Sequence, residues 1–196
     1  MSAYLVVLGH RDAIRWVLNA QRMAFPATPR AELRALKNGD RLYLYATRGA
    51  WKNPNRDRGR VIAKATATSS VEALEQPVEL AGRSFTSGCD LAIEGVVPYP
   101  GGVELQPLVA QLEAFPRPEH WYFYLRRALV PLSRLDEAVI DLHLTNLSVE
   151  ASLALESYPA GRLSRSHRHS QTALLHQELS GRDLSDHAHS TEHANG

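Results

Sequence analysis

What the chain has little of narrows it first. Its 196 residues contain one cysteine, Cys89, so no internal disulfide can form. Only Lys37, Lys52 and Lys64 among its 22 basic residues are lysines. Nearly every cationic contact is therefore a guanidinium, planar, permanently charged, and able to grip phosphate through two donors or lie flat on a base. No Cys/His cluster before residue 146 has zinc spacing. No apolar run reaches membrane-spanning length, and the N-terminus lacks the basic start and long apolar run of a signal peptide. The expectation is a cytoplasmic protein with no membrane contact. A glycine phosphate loop and a βαβ rhythm are both missing, which argues against a Rossmann or P-loop enzyme. No cofactor and no metal is expected.

What is present is enough for a core. At 44% hydrophobic the chain can bury one. The length suits one domain, residues 1–145, followed by a polar tail, residues 146–196. The start of that tail, residues 146–155, has the pattern of one more helix. Beyond it Ser, His, Arg, Gly and Asp dominate, with His167, His169, His176, His187, His189 and His193 among them. Such tails bind metal weakly, and this one carries too little apolar surface to offset chain entropy, so it is expected to be largely disordered.

The alternation of Leu42, Leu44 and Ala46 with Tyr43, Tyr45 and Thr47 predicts a strand. Val61, Ala63 and Ala65 alternating with Ile62 and Lys64 predict its hairpin partner, and Gly39-Asp40 supplies a turn before the pair. Upstream, residues 4–8 read as a buried strand and Asp12 as a candidate cap. Ile14, Val17 and Leu18 mark a helix to about residue 22, with Trp16 beside that face. Pro26 and Pro29 break it, leaving a pocket-wall segment with Phe25 as its apolar member, before a short helix over residues 30–37. Downstream come a turn and a weak strand or loop over residues 69–82, and a strand over residues 89–99 with a bulge at Gly95. Short helices follow over residues 107–112 and from Pro118, where Trp121 and Tyr124 share a face that Leu125 joins. A last strand precedes a Ser133/Asp136 capping box and a helix to about Leu144.

The central hairpin has a long loop with Trp51 and the donors Arg48, Lys52, Asn53, Asn55, Arg56, Arg58 and Arg60. Long loops in compact domains are often functional. Residues 30–64 hold ten Lys/Arg against three acids, a net of +7, while residues 68–120 hold eight acids against Arg83 and Arg117, a net of −6. A basic loop with an aromatic suits a phosphate backbone and a stacked base. A solvated face is the plainer reading of the same charges.

Five stretches carry a likeness: Tyr4-Leu-Val-Val-Leu, Gly39-Asp-Arg-Leu-Tyr-Leu-Tyr, Arg60-Val-Ile-Ala-Lys-Ala, Gly102-Val-Glu-Leu-Gln-Pro-Leu, and Trp121 through Arg127-Ala-Leu-Val-Pro-Leu. In this order they resemble the EVE-type branch of the PUA-like families, whose relatives in fold include YTH and ASCH domains. The resemblance implies an α+β fold, a pseudo-barrel of about five to six strands with helices around it. It also implies a pocket for a nucleobase extruded from its strand. For EVE domains that base is a modified one in DNA, often cytosine such as 5-methylcytosine, in bacterial defence, where a nuclease or other defence partner is expected. Matching positions give a base pocket of Trp16, Phe25, Tyr45, Thr47, Gly49, Trp51, Trp121 and Tyr124. Arg48, Lys52, Asn53, Arg56, Arg58 and Arg60 would hold the nucleic-acid backbone.

Two other classes stay open. A hydrolase or ribonuclease, as in some ASCH relatives, would draw on His10, Thr47, Lys64 and Glu94, which have no triad-like or metal-ligand spacing. A protein-interaction module would set the basic loop against an acidic partner, or against the chain's own acidic half in a head-to-tail oligomer. The expected main role is a non-catalytic binding domain.

Overall fold

The computed structural model describes residues 1–26, 31–53 and 57–159, without the side chain of residue 32. The expectations for Arg56, Asn55, the opening of the short helix at Pro29 and the His-rich tail lie outside the described residues.

Strand β1 (Ala3–Leu8) leads to α1 (Arg11–Ala20), β2 (Arg22–Phe25) and the short α2 (Ala31–Ala35). The hairpin strands are β3 (Arg41–Ala46) and β4 (Arg60–Ala67), followed by β5 (Glu72–Leu80), β6 (Arg83–Val96) and β7 (Val103–Glu104). Two 3-10 helices, Gln106–Gln111 and Pro118–Arg126, precede β8 (Leu129–Leu132), α3 (Arg134–Leu144) and α4 (Ala151–Leu155). Among the described residues the strands form one curled eight-stranded sheet in the order β2-β6-β4-β3-β1-β8, with β5 on β6 and β7 on β4. The fold is α+β, a curled sheet with helices around it, and two short strands and β5 raise the strand count above the expected five to six.

Strands β1 and β3 run parallel, Leu8 beside Ala46, and the other pairs are antiparallel. The chain therefore leaves β1 and β3 at the same end of the sheet. Each face of β3 is buried. Leu42, Leu44 and Ala46 join Tyr4, Val6, Leu8, Ile14 and Phe25 in one core, while Tyr43 and Tyr45 join Leu5, Val61, Phe115 and Ile140 in another. A register shift at Leu44/Tyr45 pairs Leu44 with Ala63 and Tyr45 with Val61. The extra residue is Ile62, which the bulge turns to the first core beside Ala63. Beyond the bulge β4 leaves β6 and pairs with β7.

Several local expectations change. Residues 22–25 are a strand paired to residues 87–90 of β6, and Phe25 is 2% exposed in the core, so it is no pocket wall. His10, not Asp12, caps α1, its Nδ1 accepting from Asp12 N at 3.2 Å. The stretch expected as a weak strand or loop is strand β5, in a hairpin with β6 turned by Ala81 and Gly82, both at positive φ. The bulge expected near Gly95 is present: Lys64 pairs with Gly95 and Ala65 with Ile93, which leaves Glu94 as the extra residue. The Ser133/Asp136 capping box forms as expected.

The packed chain runs past the expected boundary at residue 145. Ala154 and Tyr158 are buried in the first core, Val149 pairs with Val96, and the Tyr158 hydroxyl donates to Val97 O at 2.8 Å. Burial raises the pKa of that phenol, so it stays protonated as a donor. Tyr158→Phe leaves a buried carbonyl unpaired, and thermal denaturation should show a loss of about 1–2 kcal/mol.

Cys89 offers a second check. Burial beside β2, with Asp90 as the next cause, pushes its thiol up to about 12. The folded protein should resist iodoacetamide at neutral pH and react once denaturant is added. The sign for stability follows. The unfolded thiol ionises from about pH 8.5 upward while the folded one stays neutral, so stability falls as pH rises above that value.

Candidate nucleic-acid interface

The loop of residues 47–59 grows out of the sheet end where β1 and β3 finish. Thr47 N donates to Leu8 O at 3.0 Å and Arg11 N to Ala50 O at 3.0 Å, which ties the loop to β1 and to the start of α1. Ala50 is fully buried, so the first turn of the loop is anchored. Asp57, 4% exposed, closes the far side: its carboxylate accepts from Asn53 N at 3.0 Å and its own N donates to Asn53 O at 2.7 Å. Gly59 then passes against the Tyr45 hydroxyl, leaving no room for a Cβ.

These anchors hold Trp51 against two aromatics. Its ring centroid lies 4.7 Å from Tyr99 and 5.8 Å from Tyr158, and the two tyrosines are 6.0 Å apart. Tyr158 is fixed by its own hydroxyl and by Arg15 Nη1, which donates to Tyr158 O at 2.7 Å. Tyr99 is fixed through its backbone N, which donates to Ser157 Oγ at 2.7 Å. The trio lines a narrow crevice of about 10 Å3, whose other walls include Ala46, Ile62, Asp57, Arg58 and Arg60. Arg58 is exposed at the crevice, with Arg48, Gly49 and Lys52 exposed on the same loop.

The eight expected pocket residues do not come together. Trp51 lines the crevice. Trp16 and Phe25 pack on the same core without reaching it, and Thr47 is half-buried at the root of the loop. Tyr45, Trp121 and Tyr124 belong to the core on the opposite face of the sheet, where Phe115 meets Trp121 and Tyr124 edge-on at 6.2 and 5.9 Å. The sheet itself separates these two sets, because side chains alternate across a strand. Arg60, expected on the nucleic-acid backbone, instead donates to Pro100 O at 2.6 Å and to Glu104 Oε1 at 2.9 Å. It holds β4 to β7 and the turn beyond Tyr99.

Sequence reasoning missed Tyr99 and Tyr158. Tyr99 sits in Pro98-Tyr-Pro-Gly-Gly, which reads as punctuation, and Tyr158 falls beyond the last apolar pattern. An isolated aromatic in each polar stretch was the available signal. Three of the four shortlisted catalytic groups are engaged elsewhere. Lys64 Nζ lies 2.7 Å from Asp141 Oδ2, Glu94 accepts from Thr66 Oγ1 at 2.6 Å, and His10 caps α1. Among the described residues no His, Cys, Asp and Glu group is placed to hold a metal ion, and no helix is long and apolar enough to cross a membrane.

No family model matches the chain, and no curated protein matches it. Solved structures similar to it include a hypothetical protein from Leishmania major at 13% identity, covering 73% of this chain and 94% of that one with a TM-score of 0.49. Rpa0253 from Rhodopseudomonas palustris is 16% identical, covers 75% and 95%, and has a TM-score of 0.46. Human THYN1, in complex with 5-methylcytosine-containing DNA, is 12% identical, covers 72% and 97%, and has a TM-score of 0.46.

Proposed function

We propose that the chain is a non-catalytic nucleic-acid-binding module of the EVE, PUA-like kind that holds a flipped, modified base against Trp51. The observation that carries this reading is the aromatic trio Trp51, Tyr99 and Tyr158 at a crevice under a basic loop. Taking a base out of its stack costs a few kcal/mol. One aromatic face returns roughly 1–3 kcal/mol. Arg58 at the crevice, and Lys52 and Arg48 on the same loop, are exposed to meet phosphates, and Arg11, half-buried, lies at the same sheet end. A base sandwiched between two rings needs them about 7 Å apart, twice a carbon contact distance. Trp51 and Tyr99 stand at 4.7 Å. Base entry therefore parts this pair. A methyl on the base adds about 0.8 kcal/mol when buried, so strong preference for a modified base requires direct contact of the methyl with the rings.

Cytosine in DNA is the base the family resemblance points to. A nuclease or other defence partner and a cytoplasmic location belong to the same proposal. The test is binding to matched oligonucleotides bearing cytosine, 5-methylcytosine, 5-hydroxymethylcytosine or N6-methyladenine at one position. Tighter binding to one modified base supports the reading, and equal affinities for all of them count against it.

A further inference from the structure

The aromatic run at residues 121–124 divides into two faces. Trp121 and Tyr124 pack inward on the second core. Tyr122 and Phe123 face out, 52% and 46% exposed, with ring centroids 4.5 Å apart and planes tilted by 36°. The Arg126 guanidinium covers Phe123 at 4.8 Å from its centroid, and His120 lies 5.9 Å from the same ring. Every residue of this fully described helix is at least partly exposed, so core packing does not account for the outer rings. Arg117 and Arg127 flank the helix and are exposed. Glu119 is the only acid within residues 117–127. Paired aromatic rings with one guanidinium over them and two more arginines flanking the helix suit a nucleobase beside its phosphate.

Placement strengthens the match. Val7 N donates to Ala128 O at 3.0 Å, so the helix hands over to β8 at the end of β1. The loop of residues 47–59 leaves β3 at that same end, with Thr47 N on Leu8 O. Strand β1 lies between β8 and β3. Two strand spacings therefore separate Ala128 from Thr47, about 10 Å. The platform and the crevice thus emerge at one end of the sheet, on its opposite faces, and a nucleic-acid strand that passes round this end reaches both.

We propose that Tyr122, Phe123 and Arg126 form a second nucleotide-binding platform, which stacks an unpaired base of the strand whose modified base is held at Trp51. The second half of that sentence rests on the proposed function. The platform itself rests on its own rings and charges. It makes single-stranded DNA, or duplex with an unpaired segment beside the modified base, the favoured ligand.

The test compares short fluorescein-labelled oligonucleotides, single-stranded and fully duplex, each with cytosine or 5-methylcytosine at one position. The double variant Tyr122→Ala/Phe123→Ala should bind the single strand roughly 5- to 150-fold more weakly, as loss of one stacked base implies. Its ratio of modified to plain affinity should stay that of the wild type, and duplex binding should change little. Arg126→Ala should lower the slope of log K against log salt by about 0.7 on single strands, one phosphate contact. If the double variant binds the single strand as tightly as the wild type, the platform is overturned, whatever Trp51 does. If single-strand binding falls but the wild type never distinguishes the modified base, the platform stands and the flipped-base reading falls. If the wild type binds none of these oligonucleotides at low salt, both are overturned.

Discussion

Trp51→Ala is expected to bind a modified oligonucleotide about 5- to 150-fold more weakly than wild type, the loss of one stacking face, and to lose its modified-to-plain preference. Of the residues expected in the base pocket, Trp51 lines the crevice, and it touches both tyrosines of the trio. The ring also packs on the first core, so some stability will be lost with it. Trp51→Phe separates the two effects. It keeps an aromatic face and should retain most of the preference. A Trp51→Ala protein that melts cooperatively and still prefers the modified base would remove Trp51 from the site.

Asp136→Ala is expected to cost on the order of 3–5 kcal/mol, as three charge-assisted bonds are lost with little compensation. The carboxylate is fully buried. It accepts from Glu113 N at 2.6 Å, Ala114 N at 3.2 Å and Ser133 N at 2.9 Å, while the Asp136 N donates to Ser133 Oγ at 3.2 Å. A capping box is worth about 1 kcal/mol. Here the same carboxylate also ties down the end of the first 3-10 segment, just before Phe115. Phe115 in turn seats Trp121 and Tyr124. The melting temperature should fall by roughly 10 °C, at 2–4 °C per kcal/mol for a chain of this size. Ser133→Ala, which removes only the cap, should lose a fraction of that. Equal losses in the two variants would show that the ties to Glu113 and Ala114 contribute nothing.

Sequence legibility followed burial. The β3–β4 hairpin was readable because alternation and the Gly39-Asp40 turn agree, and Asp40 does accept from Ser2 N and Lys37 N at 2.7 and 2.9 Å. The capping box was readable because its spacing is local. Strand β5 was not, because its residues are mostly exposed and its Glu and Pro content resembles a loop; pairing with β6 holds it. Strand β2 was hidden by the proline that follows Phe25. The division of the site residues was hidden for a different reason. Strand β3 is buried on both faces, so Leu and Tyr positions are equally apolar and periodicity does not say which face holds a pocket. The parallel pairing of β1 with β3, which sets the loop beside α1, joins segments far apart in sequence and leaves no local signal. Tyr99 and Tyr158 reach Trp51 only through that long-range assembly.

Charge was legible as composition but not as availability. Arg60 is committed to β7 and the Pro100 carbonyl, and Arg41 to Glu137 at 3.1 Å. Arg48, Lys52 and Arg58 remain exposed on the loop. Binding through these three should weaken steeply with salt, at a slope near 0.7–0.9 per phosphate neutralised.

The most direct test of the flipped-base account is equilibrium binding of the full chain to one pair of oligonucleotides. They share a sequence and differ only in a single 5-methylcytosine, and each is measured at two salt concentrations. The account predicts tighter binding to the methylated member at both salts, with both affinities falling together as salt rises. Equal affinity for the two members at both salts would contradict it and leave only a basic surface.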